Sequence, residues 1–178
     1  MASNLAHTDY REDGISMFEF VWVLLILMIL YAVSYTYLAK MNETVERTDF
    51  VRTLNRVQAQ LTLNVAEWYA SGKRLSVREL EGQNPIDLIE LAPDNYQGEL
   101  TSKELSNCGY SRWCYLKDTK RLVYRVKHSV ELDNSYKHED FLVYRLQLTL
   151  AAGQKDKGLP TALTLVSEHQ FTWQNVGF

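Results

Sequence analysis

A single carboxylate stands at the beginning of a long apolar stretch in this 178-residue chain. Glu19 lies between Phe18 and Phe20, and residues 20–39 (FVWVLLILMILYAVSYTYLA) contain no formal charge. A carboxylate in a bilayer loses its hydration at a cost of about 2–3 kcal/mol or more, so it needs a partner or contact with water. Glu19 therefore predicts either an ion pair with another group or a hydrated position at a membrane interface.

Two cysteines form the second chemically distinctive pair. Cys108 and Cys114 are the only cysteines, and they lie in one short segment, CGYSRWC. As a disulfide they would close a small loop and remove roughly 2–3 kcal/mol of unfolded-chain entropy. Such a bond persists in an oxidising compartment such as the bacterial periplasm, whereas two reduced thiols are typical of a cytosolic domain. A zinc site is disfavoured because no second Cys/His pair lies at a ligand-like spacing.

Short motifs of common catalytic sites are missing from the sequence. It contains no Gly-x-Ser-x-Gly elbow, P-loop, dinucleotide glycine fingerprint or His-Glu-x-x-His. The four histidines are scattered among polar residues, which favours surface or strand-edge positions over metal ligation. They are His7, His128, His138 and His169. We therefore predict a protein that is not an enzyme and holds neither a metal nor a cofactor.

A basic cluster and an aromatic set each allow two interpretations. The cluster could attract nucleic acid, but nearby acids and a net charge of −3 favour a solvated strand face, so no nucleic-acid partner is expected. Its members are Lys117, Lys120, Arg121, Arg125 and Lys127. Aromatic residues at alternating strand positions favour cross-strand core packing over a sugar-binding platform. They are Trp113, Tyr115, Tyr124 and Tyr144.

Residues 20–39 have the length and composition of one membrane span. Twenty residues at about 1.5 Å each cover about 30 Å, the thickness of the hydrocarbon core of a bilayer. A helix of a soluble protein rarely stays apolar on all faces for this length. A removable secretory signal would usually follow Lys or Arg, whereas residues 1–14 contain three acids and one arginine. We predict a single retained span.

The helix is predicted to continue well beyond the membrane. No Gly or Pro occurs between Ile15 and Ser71, so nothing forces the helix to stop earlier. In its second half, apolar residues recur at steps of three and four, which predicts one buried stripe. The stripe consists of Phe50, Leu54, Val57, Leu61, Val65 and Trp68. A sheet supplied by the rest of the chain is expected to cover it.

The remainder, residues 72–178, is predicted to form a compact head. Asn84-Pro85 suits the start of a short helix through Leu91, and turns are expected at Pro93–Asn95 and at Gly98. Strands are predicted over 113–116, 122–132, 141–150, 161–166 and 171–173. Short connections imply antiparallel pairing. The expected fold class is α+β, a lollipop with a long N-terminal helix packed on a small antiparallel sheet of about four strands.

The order of features around Glu19 resembles the N-terminus of the type IV pilin superfamily. Gly14 ends a short hydrophilic segment, Ile15 is a hydrophobic first residue, and Glu19 is the fifth residue counted from Ile15. The resemblance implies a prepilin leader over residues 1–14, cleavage between Gly14 and Ile15 by a prepilin peptidase, and methylation of the new amino terminus. It also implies that Glu19 neutralises the terminal amine of a neighbouring subunit in a fibre, an ion pair that would set axial register.

The stretches GQNPIDLIELAPDNYQGEL and RWCYLKDTKRLVYRV are similar to minor pilins of the mannose-sensitive haemagglutinin type. This resemblance implies a minor type IV pilin or pilin-like subunit that is assembled into a pilus or primes one. The implied partners are other pilin subunits through the N-terminal helix, the prepilin peptidase, the inner-membrane assembly platform and membrane lipid. The implied location is the bacterial inner membrane, with a single pass and the head in the periplasm, and then the pilus or cell surface.

Two alternatives remain open at this point. The first is a pseudopilin of type II secretion, which belongs to the same superfamily. The second is a bitopic inner-membrane protein whose periplasmic domain serves as a scaffold or sensor. The bitopic protein would retain residues 1–14 in its mature form, whereas a pilin or pseudopilin would lose them.

Overall fold

The computed structural model describes residues 16–72, 80, 82–149, 161–173 and 176–177. The predicted processing residues Gly14 and Ile15 lie outside this part of the chain. The first described element, helix α1, covers Met17–Ser71, which agrees with the helix predicted for residues 15–71. The chain divides into two compact units between Met41 and Asn42, so α1 contributes to both.

In the first unit, the described residues form the N-terminal half of α1. Every side chain from Ser16 to Met41 is exposed, although most of these side chains are apolar. Phe18 and Trp22 contact edge to face with ring centroids 6.1 Å apart, one helical turn from each other. Among the described residues, α1 is the one helix long and apolar enough to cross a membrane.

The second unit joins the rest of α1 to two small sheets. The strands are β1 Tyr96–Leu100, β2 Arg112–Leu116, β3 Arg121–Arg125, β4 Leu132–Asn134, β5 Phe141–Thr149, β6 Ala162–Ser167, β7 Phe171–Trp173 and β8 Val176–Gly177. The larger sheet has the order β1-β2-β3-β5-β6, and the smaller one has the order β4-β7-β8. All pairs are antiparallel except β1 with β2. The fold is α+β, with a long N-terminal helix packed on a small, mostly antiparallel sheet.

The main core lies between α1 and one face of the larger sheet. All six residues of the predicted apolar stripe are buried there, from Phe50 to Trp68. Phe50 is fully buried and stacks on Trp113 with ring centroids 5.3 Å apart, while Tyr124 lies 5.0 Å away. Burying each such aromatic side chain stabilises the fold by about 1.5–3 kcal/mol, so this contact holds α1 on the sheet.

A second, smaller core covers the opposite face of the sheet. Its buried members are Cys108, Cys114, Leu116, Val123, Phe141 and Val143. A 3₁₀ helix over Ser102–Asn107 leads into it from the end of β1. Because successive strand residues point to opposite faces, Tyr124 joins the first core while its neighbour Val123 joins the second.

The strand predicted for residues 122–132 is confirmed over residues 122–125, but its extension beyond Arg125 was wrong. Strand β3 ends at Arg125, and β4 begins at Leu132 in the other sheet. The residues between them instead turn toward α1, where the backbone N–H groups of Lys127 and His128 donate to a buried carboxylate. The alternating pattern continued through this loop, so periodicity alone did not reveal where the strand ends.

Two predictions for residues 84–100 were also wrong. The residues after Asn84-Pro85 form turns, although Asn84 Oδ1 accepts the Ile86 N–H at 3.1 Å as a helix cap would. Gly98 was predicted in a turn, but it lies inside β1, where its φ of +121° accompanies a shift in register with β2. The larger sheet therefore has one parallel edge strand that the sequence did not predict.

Candidate functional site

The predicted assembly residue, Glu19, lies in the first turn of α1. Its Oε2 atom accepts the Ser16 backbone N–H at 2.9 Å, and the Ser16 hydroxyl accepts the Phe18 N–H at 3.3 Å. The Glu19 bond is the glutamate half of a capping box, while the Ser16 hydroxyl caps the N–H of Phe18 instead of that of Glu19, so both side chains satisfy free N–H groups at the helix start. The pattern Ser-x-x-Glu was present in the sequence, and it gives Glu19 a local role that the sequence analysis missed.

The carboxylate of Glu19 has capacity left for a second partner. It is exposed, and the capping bond uses only Oε2. An ionised carboxylate has about four lone-pair positions, so Oε1 can accept a bond from a cation outside the chain. Glu19 is also the only charged residue between Met17 and Ala39.

Two further carboxylates, which the sequence analysis missed, lie at the start of the head unit. Glu43 and Glu46 are buried on the face of α1 that also carries Phe50. Counted backward from Phe50, they continue the apolar stripe at steps of four and three. That position was the available signal, because two acids on a buried stripe must find donors in the structure that covers them.

Glu46 is held by four residues of the head. Its Oε1 accepts the Lys127 N–H at 2.8 Å, the Ser111 hydroxyl at 2.8 Å and the Tyr124 hydroxyl at 3.3 Å. Its Oε2 accepts the His128 N–H at 2.9 Å and lies 2.8 Å from His128 Nδ1. The carboxylate therefore ties α1 to the end of β3 and to the loop that follows it.

Hydrogen bonding decides the ionisation of Glu46. Burial by itself would raise the pKa of this carboxyl group. The N–H groups of Lys127 and His128, the Ser111 hydroxyl and the His128 ring together outweigh burial, so the pKa of Glu46 lies below its usual value. Burial, with the Glu46 charge beside it, raises the pKa of the Tyr124 hydroxyl, which stays protonated as a donor.

Glu43 makes a parallel attachment one turn earlier in α1. Its Oε1 accepts the Glu131 N–H at 2.8 Å and the indole N–H of Trp173 at 3.0 Å. Trp173 is fully buried in β7, so this bond connects α1 to the smaller sheet. The two glutamates together join α1 to both sheets of the head.

The predicted disulfide between Cys108 and Cys114 is present. Both residues are fully buried, and the bond connects the end of the 3₁₀ helix to β2. Arg125 supports the loop that the disulfide closes, because its guanidinium donates to the Cys108 carbonyl at 2.9 Å and the Ser106 carbonyl at 3.1 Å. The same guanidinium pairs with Asp140 at 3.0 Å.

The other sequence candidates are distributed around the head. In the basic cluster, Lys117 pairs with Glu99 at 2.6 Å and Arg121 pairs with Glu168 at 2.7 Å, so acids offset part of its charge. The four aromatic candidates are buried in the main core, as predicted. Trp113 and Tyr144 are each 1% exposed, which leaves no open ring face for a sugar.

The described histidines each lie in a different setting. His128 contacts Glu46, whereas His169 stacks on Tyr136 with ring centroids 4.3 Å apart. Burial lowers the pKa of His169. His138 packs edge to face near Phe141, and His7 lies outside the described residues. In the part of the chain that the structure describes, no group of three or more His, Cys, Asp or Glu residues could hold a metal ion.

Comparison with models of known protein families, with curated proteins and with solved structures gave no match to this chain.

Proposed function

We propose that this chain is a minor type IV pilin or pilin-like subunit, which a prepilin peptidase processes between Gly14 and Ile15. The subunit is then assembled into a pilus or primes its assembly. The observation that carries the proposal is the position of Glu19, an exposed carboxylate at the start of a helix whose side chains are exposed and apolar through most of residues 17–41. Such a helix requires apolar surroundings, which lipid supplies first and other subunits supply later.

The carboxylate supports assembly rather than simple anchoring. In apolar surroundings Glu19 needs a cation, and no Lys or Arg lies between it and Lys40. Processing would create an α-amino group at Ile15, four residues before Glu19. Since Ser16 occupies only Oε2, the Oε1 atom can accept the amine of a neighbouring subunit. Removing one member of such a pair leaves an uncompensated charge, so the pair favours one register over others.

The head supports a location outside the cytoplasm. Its two cysteines form a buried disulfide, and such bonds persist in oxidising compartments such as the periplasm. The proposed subunit would cross the inner membrane once with its head in the periplasm before it enters the pilus.

Glu19→Ala tests the assembly role, with Glu67→Ala as the matched control on an exposed position of the same helix. Both full-length variants would be expressed in the native host, and the chain would be quantified in membranes and in sheared filaments. We expect Glu19→Ala to reach the membrane in normal amounts, but its amount in filaments should decrease about tenfold or more. A tenfold decrease corresponds to a loss of about 1.4 kcal/mol of binding free energy. Equal incorporation of both variants would contradict the pairing role.

The same experiment separates the alternatives. A pseudopilin would show the same dependence on Glu19, but the chain would be associated with the type II secretion apparatus instead of pili. A bitopic scaffold or sensor would be absent from filaments, and Glu19→Ala would not change its distribution.

A further inference from the structure

Among the strands that the structure describes, β1 and β6 form the two edges of the larger sheet. An edge strand presents unpaired N–H and C=O groups that can pair with a strand of another molecule. Proteins protect such edges with bulges, charged side chains, proline or a covering element. At β1 the pairing with β2 shifts between Tyr96 and Gly98, so a bulge interrupts that edge.

The other edge strand, β6, has no charge, proline or bulge within its own described residues. Its sequence, ALTLVS over Ala162–Ser167, contains no charged residue and no proline. Its pairing with β5 is regular from Ala162 to Ser167, without a bulge. The side chain of Val166 is 40% exposed. A strand with these properties is expected to pair with other strands unless something covers it.

The register shows which groups of β6 face away from the sheet. Glu168, just after β6, lies opposite Val143 and donates its N–H to the Val143 carbonyl at 3.0 Å. Hydrogen-bonded and non-bonded positions alternate along an antiparallel pair. By this alternation, the backbone groups of Leu163 and Leu165 point away from β5, toward the open edge.

One side chain of α1 forms hydrogen bonds with these outward-facing backbone groups. Gln58 Nε2 donates to the Leu163 carbonyl at 2.8 Å, and Gln58 Oε1 accepts the Leu165 N–H at 2.8 Å. A carboxamide carries the same donor and acceptor as a peptide group. Gln58 therefore makes two of the bonds that an added strand would make. Its position is fixed because Leu54, Val57 and Leu61 around it are buried against the sheet.

We propose that Gln58 is an edge cap that prevents β6 from pairing with β6 of a second copy of this chain. Identical edges can pair around a two-fold axis, with each copy offering the same groups to the other. With the cap in place, the partner strand would first have to displace two hydrogen bonds. The cap therefore protects the head of one copy from pairing with the head of another.

The test uses the full-length chain in detergent, with mass measured by light scattering over a range of protein concentrations. Gln58→Leu removes both bonds and keeps a side chain of similar size. Gln60→Leu is the matched control, because its carboxamide oxygen accepts no hydrogen bond. We expect the mass of Gln58→Leu to increase about two-fold with concentration, while Gln60→Leu behaves as the unsubstituted chain.

A rescue variant distinguishes edge pairing from loss of folding. Val166→Lys, added to Gln58→Leu, places a charge on the exposed edge and should restore the original mass. Amide exchange at Leu165 should become faster in Gln58→Leu at concentrations where it is monomeric. The proposal is overturned if Gln58→Leu keeps the original mass at every concentration, or if its association persists after Val166→Lys is added.

Discussion

The two halves of α1 have the same backbone but opposite surroundings. Residues 17–41 are exposed on every side, whereas residues 42–71 bury one stripe against the head. Their carboxylates differ in the same way: exposed Glu19 accepts a bond from its own helix, and buried Glu46 accepts bonds from four residues of the head. The surroundings of each helix position therefore decide whether its acid is available to other molecules or holds the fold together.

The largest expected effect comes from the same substitution made in each half. Leu61 is fully buried in the core and Leu27 is 55% exposed. Leu61→Ala should lower the free energy of unfolding of the head by about 2–5 kcal/mol, because it removes buried methyl groups and leaves a cavity. Leu27→Ala should leave it within about 0.5 kcal/mol. Urea unfolding of the full chain in detergent, followed by near-UV circular dichroism, would measure the free energy of unfolding of both variants. Similar decreases for the two variants would contradict the difference between the two halves of α1.

A smaller effect is expected from removing the buried acid. Glu46→Ala should lower the free energy of unfolding by about 2–3 kcal/mol, because the Ser111 hydroxyl and the N–H groups of Lys127 and His128 lose their acceptor. Glu67→Ala, on the exposed face of the same half of α1, is the control and should have little effect. If the two variants unfold at the same urea concentration, Glu46 does not attach α1 to the head.

The disulfide is expected to stabilise the head unit. Replacing Cys108 and Cys114 together by Ser should lower the free energy of unfolding by about 2 kcal/mol, because the unfolded chain regains the entropy of a short open loop. The unsubstituted chain should lose the same amount in reducing agent, and the double variant should be insensitive to it. If the reducing agent does not change the unfolding curve of the unsubstituted chain, the disulfide does not stabilise the head.

The smallest expected effect is a decrease in the stability of the head at acid pH. The pKa of Glu46 is lower in the folded head than its ordinary value of about 4.3, so its contribution to stability is complete above that pH. The contribution is lost as pH falls through the folded pKa. Urea midpoints between pH 6 and pH 3 should decrease more for the unsubstituted chain than for Glu46→Gln, which cannot titrate. If the urea midpoints of the two proteins decrease in parallel, the ionisation of Glu46 does not contribute to the stability of the head.

The helix and its buried stripe could be predicted because both depend on local pattern. Steps of three and four placed Phe50 and Leu54 on one face, and the absence of Gly and Pro allowed α1 to reach Ser71. The disulfide could be predicted because Cys108 and Cys114 are the only two cysteines and lie in one short segment. These features need no knowledge of which strands become neighbours.

The errors arose where distant residues decide the local structure. Strand β3 ends at Arg125 because the following N–H groups bind Glu46, 81 residues away from Lys127 in the chain. The parallel pairing of β1 depends on β2 and on a glycine that allows the bulge, and neither shows in a period-two pattern. The cap of β6 by Gln58 likewise joins residues 105 positions apart.

The mature N-terminus tests the central claim most directly. Intact-mass and peptide mass spectrometry would be applied to the chain purified from membranes of its native host. The proposed pilin-like function predicts a chain that begins at Ile15 with a methylated amine, four residues before the Glu19 carboxylate that would pair with it in a neighbour. A mature chain that keeps Met1 and residues 1–14 would contradict the proposal and favour the bitopic membrane protein.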